Sequence, residues 1–106
     1  MYDLKWSISE KRIARRVFDA ALAAELAEIM AGLKAMAAAA AEPDDMWSIE
    51  EHLGRERREI DEKYDYRYSQ LLFVFGRLLR EGRIQEAQLA GLAEEKLAHI
   101  RRIGSP

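Results

Sequence analysis

An apolar periodicity runs through residues 13–36, and the length of the helix it marks is the strongest constraint on what this chain can fold into. Ile13, Val17, Ala21, Leu22, Leu26, Ile29, Leu33 and Met36 recur in steps of mostly three or four, which marks one stripe of an amphipathic helix. Ser7 and Glu10 precede the stripe at the spacing of a capping box. Lys11, Arg12, Arg15, Arg16, Glu25, Glu28 and Lys34 fall mostly away from it. The alanine run at 37–41 continues the helix, and Pro43 stops it, because the residue before a proline disfavours the helical region. The helix expected here has about 33 residues and is roughly 50 Å long at 1.5 Å per residue. A compact chain of 106 residues has a radius of gyration near ~13 Å. The remaining residues of one chain cannot cover so long a stripe, so the sequence predicts a homodimer with long helices packed across a two-fold axis.

A second long helix is expected over 44–79. Asp44 or Asp45 caps it, and its apolar positions are Met46, Ile49, Leu53, Ile60, Tyr64, Tyr68, Leu71, Leu72, Phe75, Leu78 and Leu79. Its middle, 54–63, is charged, and the i,i+4 pairs Arg55–Glu59, Arg57–Asp61, Arg58–Glu62 and Glu59–Lys63 contribute about 0.2–0.5 kcal/mol each. Tyr64, Tyr68 and Phe75 read as core residues, with the phenol groups of the two tyrosines reaching the surface. Gly82 suits a left-handed cap. Beyond it, two short helices broken at Gly91 place Ile84, Leu89, Leu92, Leu97, Ile100 and Ile103 in a small hairpin. The expected fold class is all-α, with two long helices forming an elongated stalk over 1–82 and a small helical head over 83–106, dimeric.

Several function classes are disfavoured. The net charge is −2, so there is no basic footprint for nucleic acid. The turn at Leu89-Ala90-Gly91-Leu92 lacks the second glycine that would let backbone amides approach a phosphate. With no cysteine, there is neither a disulfide framework nor a thiol nucleophile. His52 and His99 stand in different elements without a spaced third ligand, so no metal or other cofactor is expected. The paired acids lack a pocket that would tune them, and no phosphate loop or nucleophile elbow is present, so no enzymatic activity is expected. The longest apolar run, 71–79, falls short of the roughly 20 residues that span a bilayer. The N-terminus lacks a secretory h-region, so the expected location is the cytoplasm.

One segment combines an aromatic anchor with charges. Trp47, Glu50, Glu51 and Arg57 fall close to one helical face, the composition of a protein-binding hot spot. The same segment carries a resemblance. DDMW at 44–47 and REIDEKYDYRYSQLLFVF at 58–75 resemble the cyanobacterial fluorescence recovery protein family, the all-helical regulators of the orange carotenoid protein. Trp6-Ser7, Phe18, Glu25-Leu26 and the final GLAEEKLAHI extend the resemblance over nearly the whole chain. It implies a cofactor-free dimer that binds photoactivated orange carotenoid protein and speeds its return from the red to the orange state. It also implies a functional patch built on a tryptophan, a His-Asp pair and an arginine. Trp47 and Arg57 match the first and last of these. The His-Asp pair falls on Glu50-Glu51, which keeps the acid and loses the histidine, and His52 stands where the family has a following aromatic residue.

Overall fold

The computed structural model describes residues 5–106. Among these, the chain forms α1 (Ile8–Ala39), α2 (Pro43–Lys63), α3 (Leu71–Arg80), a short 3₁₀ turn (Glu86–Leu89) and α4 (Glu94–Gly104). The Ser7–Glu10 capping box is formed. The Ser7 amide donates to Glu10 Oε1 at 3.0 Å, and the Glu10 amide donates to Ser7 Oγ at 3.2 Å. The α1–α2 turn differs in detail from the expectation that Asp44 or Asp45 is the cap residue. Glu42 occupies that position and Pro43 opens the helix. The Asp45 carboxylate reaches back to accept the amides of Ala41 at 2.8 Å and Glu42 at 2.9 Å.

The expected single helix over 44–79 is two helices. It stops at Lys63 because the next residues are drawn into tertiary contacts that a continuing helix could not make. The Tyr64 hydroxyl donates to Glu25 at 2.8 Å. Tyr66 packs edge-on against Phe18 with ring centroids 4.8 Å apart, and Tyr68 lies 5.8 Å from Trp6. Asp65 and Arg67, the alternate residues, pair with each other. The apolar periodicity carried no sign of this break, whereas the i,i+2 spacing of the three tyrosines did.

The core lies at one end of the molecule. Ala14, Val17, Phe18 and Ala21 of α1 meet Leu71, Leu72, Val74, Phe75 and Leu78 of α3, with Ile84, Leu89, Leu92 and Ile100 closing the far side. α3 makes its most extensive contact with α4, so the packed unit crosses the 82/83 boundary. At the crossing, a Cβ on Gly76 would come 2.3 Å from Ile103 Cγ2, a distance only glycine permits. Gly82, at φ +75°, ends α3 in the left-handed conformation. Phe75 is core as expected and Tyr64 packs against the core, but Tyr68 is 39% exposed.

The other end is a bare helical hairpin. No residue of α1 beyond Glu25 is buried, and α2 buries only Lys63. The molecule measures 54 × 26 × 23 Å with a radius of gyration of 16.8 Å, against about 13 Å for a compact chain of this length.

Candidate functional site

α2 is held by a cap at one end and by Lys63 at the other, so its outer face is presented as a nearly isolated rod. Ile49, Leu53 and Ile60 are half-buried on the side turned to α1. Trp47, Glu50, Glu51 and Arg57 are all exposed, Trp47 to 61%. Glu51 Oε1 lies 3.5 Å from Arg55 Nη1, and Arg57 Nε lies 3.9 Å from Asp61 Oδ2. These are loose surface pairs that cost little to exchange for a partner's charges. Arg57 also walls a shallow apolar trough of about 470 Å³ with Leu22, Leu26, Ile29, Leu53 and Ile60. Trp47 is outside that trough, ten residues or roughly 15 Å along the helix. The four residues therefore share a face along which Trp47 and Arg57 stand well apart, the tryptophan near the stalk tip and the arginine near its middle. Such a face can bury an indole and exchange paired hydrogen bonds. Among the described residues, no group of acids and histidines is gathered to hold a metal ion.

A second polar feature escaped the sequence reading. Glu25 lies on the buried face of α1, one turn beyond Ala21, instead of on the solvated one. Its carboxylate receives Lys63 Nζ at 2.7 Å, Tyr64 Oη at 2.8 Å and Arg83 Nε at 3.1 Å. Lys63, 4% exposed, also reaches Glu81 at 2.8 Å, and Arg83 reaches Glu28 at 2.9 Å. Burial and the neighbouring Glu25 push the Tyr64 phenol well above its ordinary range. Burial disfavours the Glu81 carboxylate, but Lys63 and Arg77 outweigh it and hold its pKa down. The network welds the stalk to the head at the point where α2 ends. The signal for it was an acid in phase with Ala14, Phe18 and Ala21.

A smaller buried pair pins the start of α1. Lys96 Nζ lies 3.1 Å from Glu10 Oε1, and the Ala93 amide donates to Glu10 Oε2 at 2.8 Å. Lys96 is thus buried and committed to a carboxylate. Among the described residues, no helix is long and apolar enough to cross a membrane.

Comparison with known proteins agrees with this architecture. The family described as "Photoprotection regulator fluorescence recovery protein" matches residues 6–104. The fluorescence recovery protein of Synechocystis sp. is 38% identical over 98 residues, 92% of this chain and 90% of that protein. The solved structure of the Fremyella diplosiphon fluorescence recovery protein matches with a TM-score of 0.88 at 34% identity, covering 93% of this chain and 97% of that one. A solved structure of the Synechocystis sp. protein gives the same TM-score at 37% identity and the same coverage. With its capped long helix, its helical head and a family match over nearly its whole length, the chain belongs to the fluorescence recovery protein family of photoprotection regulators.

Proposed function

We propose that the protein is a non-enzymatic, dimeric regulator that binds photoactivated orange carotenoid protein and accelerates its red-to-orange reversion, ending phycobilisome quenching. The observation that carries this reading is the open face of α2. Trp47, Glu50, Glu51 and Arg57 stand exposed on a scaffold of the family's fold, at the positions where the resemblance puts the family's patch. The mechanism is differential binding. A regulator speeds a partner's relaxation only if it holds the transition state more tightly than the red state. An indole and a guanidinium on a rigid helix can do so without covalent chemistry, because contacts made more fully in the transition state than in the red state lower the barrier. Each ~1.4 kcal/mol of such differential contact is worth tenfold in rate.

A second reading rests on Glu50, a fixed carboxylate at the family's histidine position. On that reading the scaffold and dimer are the same and the protein partner differs. Timing the dark relaxation of a photoconverted orange carotenoid protein separates the two. Acceleration that Trp47→Ala or Arg57→Ala reduces by about tenfold or more, without changing the protein's own mass, supports the first reading. No acceleration at excess protein leaves the second.

A further inference from the structure

A cationic strip on the head end of α1 has no role in the reading above. Ile8, Lys11, Arg12, Arg15 and Arg16 line a shallow trough of about 430 Å³. At 3.6 residues per turn their side chains fall within an arc of roughly 140° and a length of roughly 12 Å. Ile8 is apolar and 72% exposed. Arg12 and Arg16 make no ion pair among the described residues. Arg15 has one acid, Asp19, at 3.2 Å, and its guanidinium lies 3.5 Å from the centre of the Tyr66 ring. Lys11 rests 5.1 Å above Tyr68. Two of the four cations are thus held against aromatic rings, and the other two make no ion pair among the described residues.

Helix electrostatics does not explain these charges. A helix N-terminus carries partial positive charge, so cations in its first turns cost stability and cations in its last turn add to it. Lys11 and Arg12 follow directly on the capping Glu10, while the last turn of α1 holds no basic residue. Four cations on one short strip also reverse the sign of a chain whose net charge is −2. Ala14, Val17 and Phe18 of the same turns supply the apolar packing of the core, and of the four cations only Lys11 and Arg15 lie against aromatic rings at its edge, while Arg12 and Arg16 take no part in it.

We propose that this strip docks an acidic segment of a protein partner, one that lays carboxylates along Arg12, Arg15 and Arg16 and covers Ile8 with an apolar side chain. Arginine takes a carboxylate through two parallel hydrogen bonds, and Arg15 is already oriented by Tyr66. A bilayer fits the strip less well. A helix that lies in a membrane surface needs a broad apolar face to insert, and here that face is committed to the core, which leaves Ile8 alone.

The test is fluorescence anisotropy of a labelled peptide of about ten residues, with four glutamates flanking a leucine, titrated with the full chain. Expected is saturable binding that weakens by about tenfold from low to physiological salt, is absent for the glutamine counterpart, and falls by about tenfold or more in Arg12→Glu/Arg16→Glu. Both side chains are exposed, so the variant should melt no lower than the parent. Arg12→Gln/Arg16→Gln gives the same readout with a smaller loss. Undiminished peptide binding by both variants overturns the proposal. So does co-sedimentation with phosphatidylglycerol–phosphatidylcholine vesicles without peptide binding, which makes the strip a membrane contact. A change of mass in light scattering on charge reversal overturns it as well, by making the strip a seam between copies.

Discussion

Glu10 makes a local bond and a long-range one with the same carboxylate. It closes the capping box with Ser7, and it receives Lys96 and the Ala93 amide from the other end of the chain. Burial alone disfavours its ionisation, but the amides of Ser7 and Ala93 and the Lys96 ammonium outweigh burial and hold its pKa down to about 2. The folded state therefore binds fewer protons than the unfolded state between pH 4.5 and about 2. Stability from this group is full above that window and is lost as pH falls through it. Urea melts of the parent should lose stability as pH drops through the window, and Glu10→Gln should show a shallower loss. At neutral pH that variant leaves the Lys96 charge buried without its partner and costs about 3 kcal/mol. Gly76→Ala is the steric counterpart. Its Cβ meets Ile103, so overpacking should cost about 1–3 kcal/mol, and the melting temperature should drop by roughly 4–8 °C for each kcal/mol. A melting temperature unchanged within a degree or so would mean that α3 and α4 can part without cost.

At the scale of elements, both ends of α1 were legible because their causes are local: a capping box at Ser7 and a proline at 43. The end of α2 was not. Lys63 reads in sequence as one of several charged residues paired with an acid four residues away, yet it is buried between Glu25, 38 residues earlier, and Glu81, 18 later. Nothing in the periodicity of one segment reveals a partner at that distance. Lys63→Met should cost about 3 kcal/mol, because Glu25 and Glu81 then lose a buried cation. Adding Glu25→Gln should cost less than the sum of the two single changes, and a double-mutant cycle in denaturant measures the coupling. Strict additivity would mean that α1 and the end of α2 are not joined through this pair. Of the candidate face, what was legible is exposure: Trp47, Glu50, Glu51 and Arg57 all stand open on α2. Their separation along the rod, and the trough beside Arg57, came only from placing α1 alongside.

For the molecule as a whole, the long stripe of α1 divides into two fates. Val17 and Ala21, with Ala14 and Phe18 beside them, are covered by α3 and the segments after it, whereas Leu26 stays 47% exposed, and Met30 of α1 and Met46 and Trp47 of α2 are exposed too. An apolar surface of this extent on a small rod is what a two-fold seam would cover. Light scattering at micromolar concentration should give about twice the chain mass of 12.2 kDa. Leu26→Glu, a change at an exposed position that alters protomer stability by no more than about 0.5 kcal/mol, should shift the mass toward one chain. A parent protein of single-chain mass removes the dimer, and a Leu26→Glu variant of undiminished mass moves the seam elsewhere. The sequence by itself determined the helical class, the length of α1, its caps and the polar face of α2, because periodicity, capping and proline act within a few residues. Only the tertiary structure decided where α2 stops, which charges are buried and which half of the apolar stripe is covered. Those outcomes depend on Glu25, Lys63, Glu81 and Arg83 meeting in space, and residues so far apart along the chain leave no local trace of the meeting.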